Sequence, residues 1–280
     1  MGENSLINLG DLSKPATVLI EKISYAVGGI FKPYQIKRVA KAEAEAEIIK
    51  TQAQIETTNL QRRAITRFIA EEAQKQNNIE NITAKAIPQL KDSARPNDIE
   101  NDWITNFFDK CRIISDNEMQ SLWAKVLSGE ANSPGAYSRR TVNFLGSLDK
   151  IDTSLFTSLC GFVWQIGDSV PLIFDFQEQI YNSKGIDFSS LTHLDDIGLI
   201  SFDNLSSFML LKYPKKITIS YYETPLHIEF KKDSDNELQI GKILLTKTGE
   251  QLAPICGSQP VENFRDYVME KWQKEGLVLS

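Results

Sequence analysis

Side chains that do covalent or proton-transfer chemistry are scarce in this 280-residue sequence: two histidines, His193 and His227, and three cysteines, Cys111, Cys160 and Cys256. His193 lies in Thr-His-Leu-Asp-Asp, three residues before Asp196, so the two share a face if the segment is helical. A metal site of one histidine and two carboxylates would need support from a second histidine pair, and there is none; hydrogen bonding at a helix end is the simpler reading. His227 alternates with Leu226 and Ile228 and reads as the outward residue of a strand. The cysteines are far apart and form no CxxC pair, which points to a reducing compartment and argues against a disulfide framework or a zinc knuckle. Cys160, between Leu159 and Phe162, is expected to be a buried, inert thiol. The sequence has no GxSxG, HExxH, GxxxxGK[ST] or GxGxxG. These observations argue against an enzyme and against a resident cofactor or metal. An acid-only nuclease site assembled in space stays open.

Two further chemistries are contact with lipid and contact with phosphate. Ala16, Leu19, Ile20, Ile23, Val27, Ile30 and Phe31 repeat at amphipathic-helix spacing, with Ser13 placed as N-cap and Pro15 in the first turn. Lys32, Lys37, Arg38 and Lys41 follow with no acid among them. An apolar face followed by a basic cluster suits an anionic membrane surface. The competing reading packs the same face on the protein itself or on a sister subunit. Near the other end, Lys212, Lys215, Lys216, Lys231 and Lys232 fall at the ends of a predicted hairpin, positions that could meet nucleic-acid phosphates. The neighbouring short helix carries Asp195 and Asp196, not side chains that read base edges, so protein contact is preferred to DNA.

The elements that must position these groups begin with a long rod. Residues 34–87 contain no glycine or proline and are rich in Ala, Glu, Lys and Gln, which predicts one long helix, or two end to end, about 80 Å in length. Its large apolar residues form a thin, irregular seam that calls for a partner. Pro88 and Pro96 end it, and the polar stretch 91–98 is the best domain boundary. From Asp98 to Gly167 the pattern is a bundle of four short helices, with Asp116, Ser138 and Asp152 as caps and Gly129 as a stop. After Pro171 come a short helix over 190–197, strands over 216–222, 226–231 and 238–245, a short helix over 246–255 and an amphipathic helix over 261–274. Helix, "GLI" strand entry, hairpin and "LTKTGEQL" give the outline of a winged-helix module.

The fold expected is therefore mainly α with a small α+β part. An amphipathic segment (1–33), a long helix (34–90), a helical bundle (98–170) and a winged-helix-like module (171–280) follow one another. The formal net charge of -6 argues against a general nucleic-acid binder. No secretory signal and no run of about 18 uncharged apolar residues is visible, so no ordinary transmembrane helix is expected.

Three stretches resemble a bacterial family catalogued as domain of unknown function 2806: "LSKPATVLIEKISYAVGGIFKPYQIKRVAKAEAEAEIIKTQAQIE", "RRAITRFIAEEAQKQNNIENITAKAIPQL" and "MQSLWAKVLSGEANSPGAYSRRTVNFLGSLDKIDTSLF". The third of these, with its Leu122-Trp123-Ala124 helix, is also similar to the helical core of the abortive-infection alpha proteins. The resemblance assigns no catalytic residue. It implies a bacterial cytoplasmic protein, peripheral to the inner membrane if its first helix docks on lipid, with a role in antiphage defence. The expected partners are a second copy or a second defence protein, an anionic membrane surface, and, ranked lower, nucleic acid.

Overall fold

The computed structural model describes residues 12–28 and 58–280. The described chain is mainly α-helical with an antiparallel β part, and it divides into two compact units at Ser147 and Leu148.

In the first unit, α1 (Lys14–Val27) starts where expected: the Ser13 side chain caps Ala16, and Gly28 closes the helix in the left-handed region. It packs on α3 (Asn101–Cys111) and on the turn Pro96–Asp98, and Lys22 Nζ donates to the Asn97 carbonyl at 2.6 Å. The helix α2 (Asn59–Ala86) opens with a capping box of Thr58 and Gln61. Its last turns lie on α4 (Asn117–Asn132), and α5 (Arg139–Leu145) packs on α3. Trp103, Phe107 and Trp123 fill the centre, with Phe107 edge-on to Trp123 at 5.1 Å. The buried Asn78 side chain joins three segments. It donates to the Arg112 carbonyl at 2.9 Å and accepts from Gln120 on α4, which also donates to the Ile114 carbonyl. Buried Glu130 holds the loop after α4 by accepting from the backbone N–H groups of Gly135 (2.7 Å) and Tyr137 (2.9 Å).

The second unit begins with α6 (Lys150–Cys160) and a tight hairpin of β1 (Val163–Ile166) and β2 (Asp168–Pro171), which turns at Gly167, φ +79°. Then come α7 (Gln179–Asn182), α8 (Phe188–Asp196), β3 (Ile200–Phe202), β4 (Phe208–Tyr213), β5 (Lys216–Tyr221), β6 (Thr224–Glu229), β7 (Asn236–Gly241) and β8 (Ile243–Leu245). The chain closes with α9 (Lys247–Leu252), α10 (Phe264–Lys274) and β9 (Val278–Leu279). Five strands form one antiparallel sheet in the order β2-β1-β5-β6-β9, while β3 pairs with β8 and β4 with β7. Trp164, Tyr221, Phe264 and Trp272 make an aromatic core, with Trp164 stacked on Tyr221 at 5.1 Å. The Tyr221 hydroxyl donates to the Gly161 carbonyl (2.6 Å) and accepts from the Val261 N–H (2.7 Å), satisfying a buried polar atom twice.

Several expectations shift. The long helix is observed from Asn59 to Ala86; residues 34–57 lie outside the described residues. The polar stretch 91–98 is not where the chain divides, because the Lys91 N–H donates to Asn132 Oδ1 and the Arg95 N–H to the Ala131 carbonyl, which ties it to α4. Gly129 does not stop α4, which runs on to Asn132. Asp149 is the N-cap of α6, and Asp152 is the third residue of its capping box. The segment 163–171 is a hairpin and not the end of a bundle helix, because the left-handed Gly167 reverses the chain at once.

Candidate functional site

The predicted lipid-facing residues divide in two. Leu19 and Ile23 are fully buried, Ile20 nearly so, and Val27 is half-buried; in this structure they form part of the first unit's core. Ile30, Phe31, Lys32, Lys37, Arg38 and Lys41 lie outside the described residues. Among the described residues no helix is long and apolar enough to cross a membrane.

The predicted phosphate-facing lysines are brought together. The Phe230 N–H donates to the Lys215 carbonyl and the Lys215 N–H to the Asp233 carbonyl, so the segments 212–216 and 231–235 meet at the open end of the β5–β6 hairpin. Lys212, Lys215, Lys216, Lys231 and Lys232 are all exposed there. Acids share the patch: Lys215 pairs with Asp233 at 3.1 Å and Lys216 with Glu229 at 3.3 Å. The exposed side of α8 presents Phe188, Ser189, His193 and Asp196 and no basic residue but the histidine.

His193 reaches out of its own helix. Its Nε2 lies 2.7 Å from Asp152 Oδ1 on α6, tying α8 to α6, while Asp195 accepts from the Phe202 N–H. The metal arrangement with Asp196 is not formed, and among the described residues no group of three or more His, Cys, Asp or Glu is disposed to hold a metal ion. His227 stands on the outer face of β6, its Nδ1 2.9 Å from Thr218 Oγ1 across the strand pair.

Two further features stand out. The first is the exposed start of α2, part of the seam for which the sequence calls for a partner. Every residue from 58 to 74 is exposed, and Leu60, Phe68 and Ile69 are each more than half accessible. With Ala64 and Ile65 they form two adjacent i, i+4 rows, Leu60-Ala64-Phe68 and Ile65-Ile69, on one side of the helix. Arg63, Arg67 and Glu71 flank the first row, and Arg67 pairs with Glu71 at 3.3 Å. The second feature is a cavity of about 320 Å³ in the second unit, lined by Cys160, Gln165, Ser169, Tyr222, Pro254 and Ser258 among others. The Tyr222 hydroxyl donates to Ser258 Oγ at 3.0 Å, and the Cys256 thiol, on the turn just before Ser258, donates to the Ala253 carbonyl at 3.1 Å. Cys160 and Cys256 are ninety-six positions apart, so spacing gave no hint of their approach.

No curated protein and no solved structure matches the chain. Residues 62–269, well over half of the sequence, match the family model described as "Protein of unknown function (DUF2806)", and the chain belongs to that family.

Proposed function

We propose that the protein is a non-enzymatic assembly protein, an adaptor or effector of bacterial antiphage defence, that self-associates through the exposed half of α2. The observation that carries the reading is the pair of apolar rows on a helix whose first four turns touch nothing in the described chain that would bury them. Helices gain most of their stability from burying such a face. The charge pattern favours a second copy lying antiparallel. Arg63 and Glu71 sit on the same flank, eight residues apart, so an antiparallel alignment centred on residue 67 sets Arg63 of each copy opposite Glu71 of the other. The same alignment sets Ile65 against Ile69 of the second copy. The defence setting rests on the similarity of the stretch that begins at Met119 to abortive-infection alpha proteins. A second defence protein is the other occupant the surface would fit.

The test is the solution mass of the full chain at micromolar concentration. A dimer is expected, with Phe68→Asp giving a monomer of unchanged helicity. Arg63→Glu should weaken the dimer and Arg63→Glu with Glu71→Arg should restore it. A wild-type monomer removes the homo-oligomer.

Membrane attachment through α1 would require Leu19, Ile20 and Ile23 to leave the core, together with residues beyond Gly28. Binding to anionic vesicles that is lost on deletion of 1–33 would support it. The runner-up is nucleic-acid binding by a winged-helix-like module. The order α8, β3, β8, α9 with a long excursion between the paired strands favours that architecture, and the lysine patch supplies charge. Asp233 and Glu229 offset part of that charge, so protein contact remains the preferred role. Salt-sensitive duplex binding lost in Lys215→Ala/Lys216→Ala would reverse the ranking.

A further inference from the structure

We propose that Cys160 and Cys256 form a peroxide-responsive thiol pair, Cys256 reacting first and Cys160 closing an intramolecular disulfide. The pair is assembled by the fold. Cys160 ends α6, and Cys256 follows the turn Ala253–Ile255 after α9. The two cysteines are neighbours: the Thr157 hydroxyl, one turn before Cys160 on the same helix face, donates to the Cys256 carbonyl at 3.3 Å, and the Tyr222 hydroxyl lies 3.5 Å from the Cys160 carbonyl and 3.0 Å from Ser258 Oγ, two residues after Cys256. Accessibility separates their roles. Cys160 is buried, although its edge lines the 320 Å³ cavity, whereas Cys256 is partly exposed and open to a small oxidant.

Electrostatics separate them in the same direction. The adjoining Cys160 thiol draws the Cys256 thiol down to about 6 against the opposing effect of burial, helped by the Ser258 N–H and hydroxyl. Burial drives Cys160 the other way, and the nearby Tyr222 phenol is also pushed up by burial and stays neutral. Cys256 is therefore the more readily ionised of the two, releasing its bond to the Ala253 carbonyl when it gives up its proton, and Cys160 is the thiol held beside it. Cys111, buried in the first unit and pushed up by burial alone, serves as an internal control.

The chemistry balances with a hydroperoxide as oxidant. The Cys256 thiolate attacks one peroxide oxygen, the O–O bond breaks, and the leaving hydroxide takes up the thiol proton as water. The resulting sulfenic acid is attacked by Cys160 sulfur. An S–S bond forms, and the hydroxyl leaves with the Cys160 proton as a second water. Two thiols and one hydrogen peroxide become one disulfide and two waters.

The test is titration of the reduced full-length chain with hydrogen peroxide, read by intact mass and peptide mapping. Loss of two hydrogens in a Cys160–Cys256 cross-linked peptide is expected, reversible by a dithiol, with Cys111 unmodified. Cys160→Ser should instead accumulate a sulfenic acid on Cys256 that a dimedone probe traps, and Cys256→Ser should abolish both products. Alkylation of Cys256 should already be near its plateau at pH 7, whereas an ordinary thiol still climbs about tenfold per pH unit there. Oxidation of Cys256 no faster than Cys111, a cross-link only between chains, or an alkylation midpoint near that of a free thiol would overturn the proposal.

Discussion

The two units are held together by different means. In the first, helices meet through side-chain faces: Trp103, Phe107 and Trp123 fill the middle, and the polar side chains of Asn78, Gln120 and Glu130 pin backbone groups at the edges. In the second, backbone approaches backbone. A Cβ on Gly249 would collide with the Leu199 carbonyl oxygen, and one on Gly241 with the Ile173 carbonyl oxygen. Thr246, the N-cap of α9, also bonds the carbonyls of Gly198 and Leu199, so α9 sits directly on the turn that follows α8. The first design tolerates a change of backbone freedom better than a change of side-chain chemistry; the second reverses the order.

The largest effect should come from Ile23→Asp. Ile23 is fully buried on α1, and the change removes an aliphatic group and buries a carboxylate, costing about 4 kcal/mol or more. Urea unfolding followed through circular dichroism should show the first unit lost. Full retention of stability would make α1 a dispensable attachment and not a core element. Gly249→Ala should cost about 1–3 kcal/mol through the forced shift against Leu199, read as a lower unfolding midpoint. A neutral result would break the comparison for the second unit.

Glu130→Gln should cost about 1–2 kcal/mol near neutral pH, since an amide offers one acceptor oxygen to two backbone donors. The substitution also carries a pH signature. Burial holds the Glu130 carboxyl above its ordinary range against the opposing hydrogen bonds from Gly135 and Tyr137. Folding therefore favours the protonated form. That contribution is fully present below the unfolded-state pKa and is lost as pH rises through the folded value. Unfolding midpoints measured across that window should fall with pH in the wild type and be flatter in Glu130→Gln; an identical slope would remove the assignment. The smallest effect is expected of Gly135→Ala. Its φ of +90° is strained for alanine, but nothing lies near the added carbon, so about 1 kcal/mol is expected.

The same contrast governs what could be read from sequence. Helix starts in both units are local events, so Ser13, Asp116, Ser138 and Thr246 were visible as caps or helix boundaries. The strand pair 216–221 and 224–229 was visible because its alternation and turn are adjacent. The β1–β2 hairpin was hidden, because four-residue strands are too short for alternation to outvote the helical pattern of 155–163. The pairing of β4 with β7 was hidden by the long excursion between them and by its irregular register. Of the site residues, the apolar face of α1 was legible as a face but not in its destination. The lysines were legible as a cluster, and Asp233 and Glu229 were not foreseen among them. The apolar seam of α2 was legible as one that needs a partner, but not which of its residues stay bare; the neighbourhood of Cys256 depends on what lies far away in the chain, and local pattern does not carry it.

Asn78 fixes more than one contact. A slide of α2 by one turn would bring Ile82 to the place of Asn78 and strand the Arg112 carbonyl and the Gln120 amide, so only one docking position satisfies all partners. The helix is thus a ruler whose zero is set at residue 78. In the proposed antiparallel pair centred on residue 67, the two Asn78 anchors would stand roughly 33 Å apart along the helix direction at 1.5 Å per residue. Inserting or deleting one residue between 68 and 77 would change that span only slightly, yet it would turn the apolar rows by about 100° around the helix, aiming the second copy at a different side of the first unit.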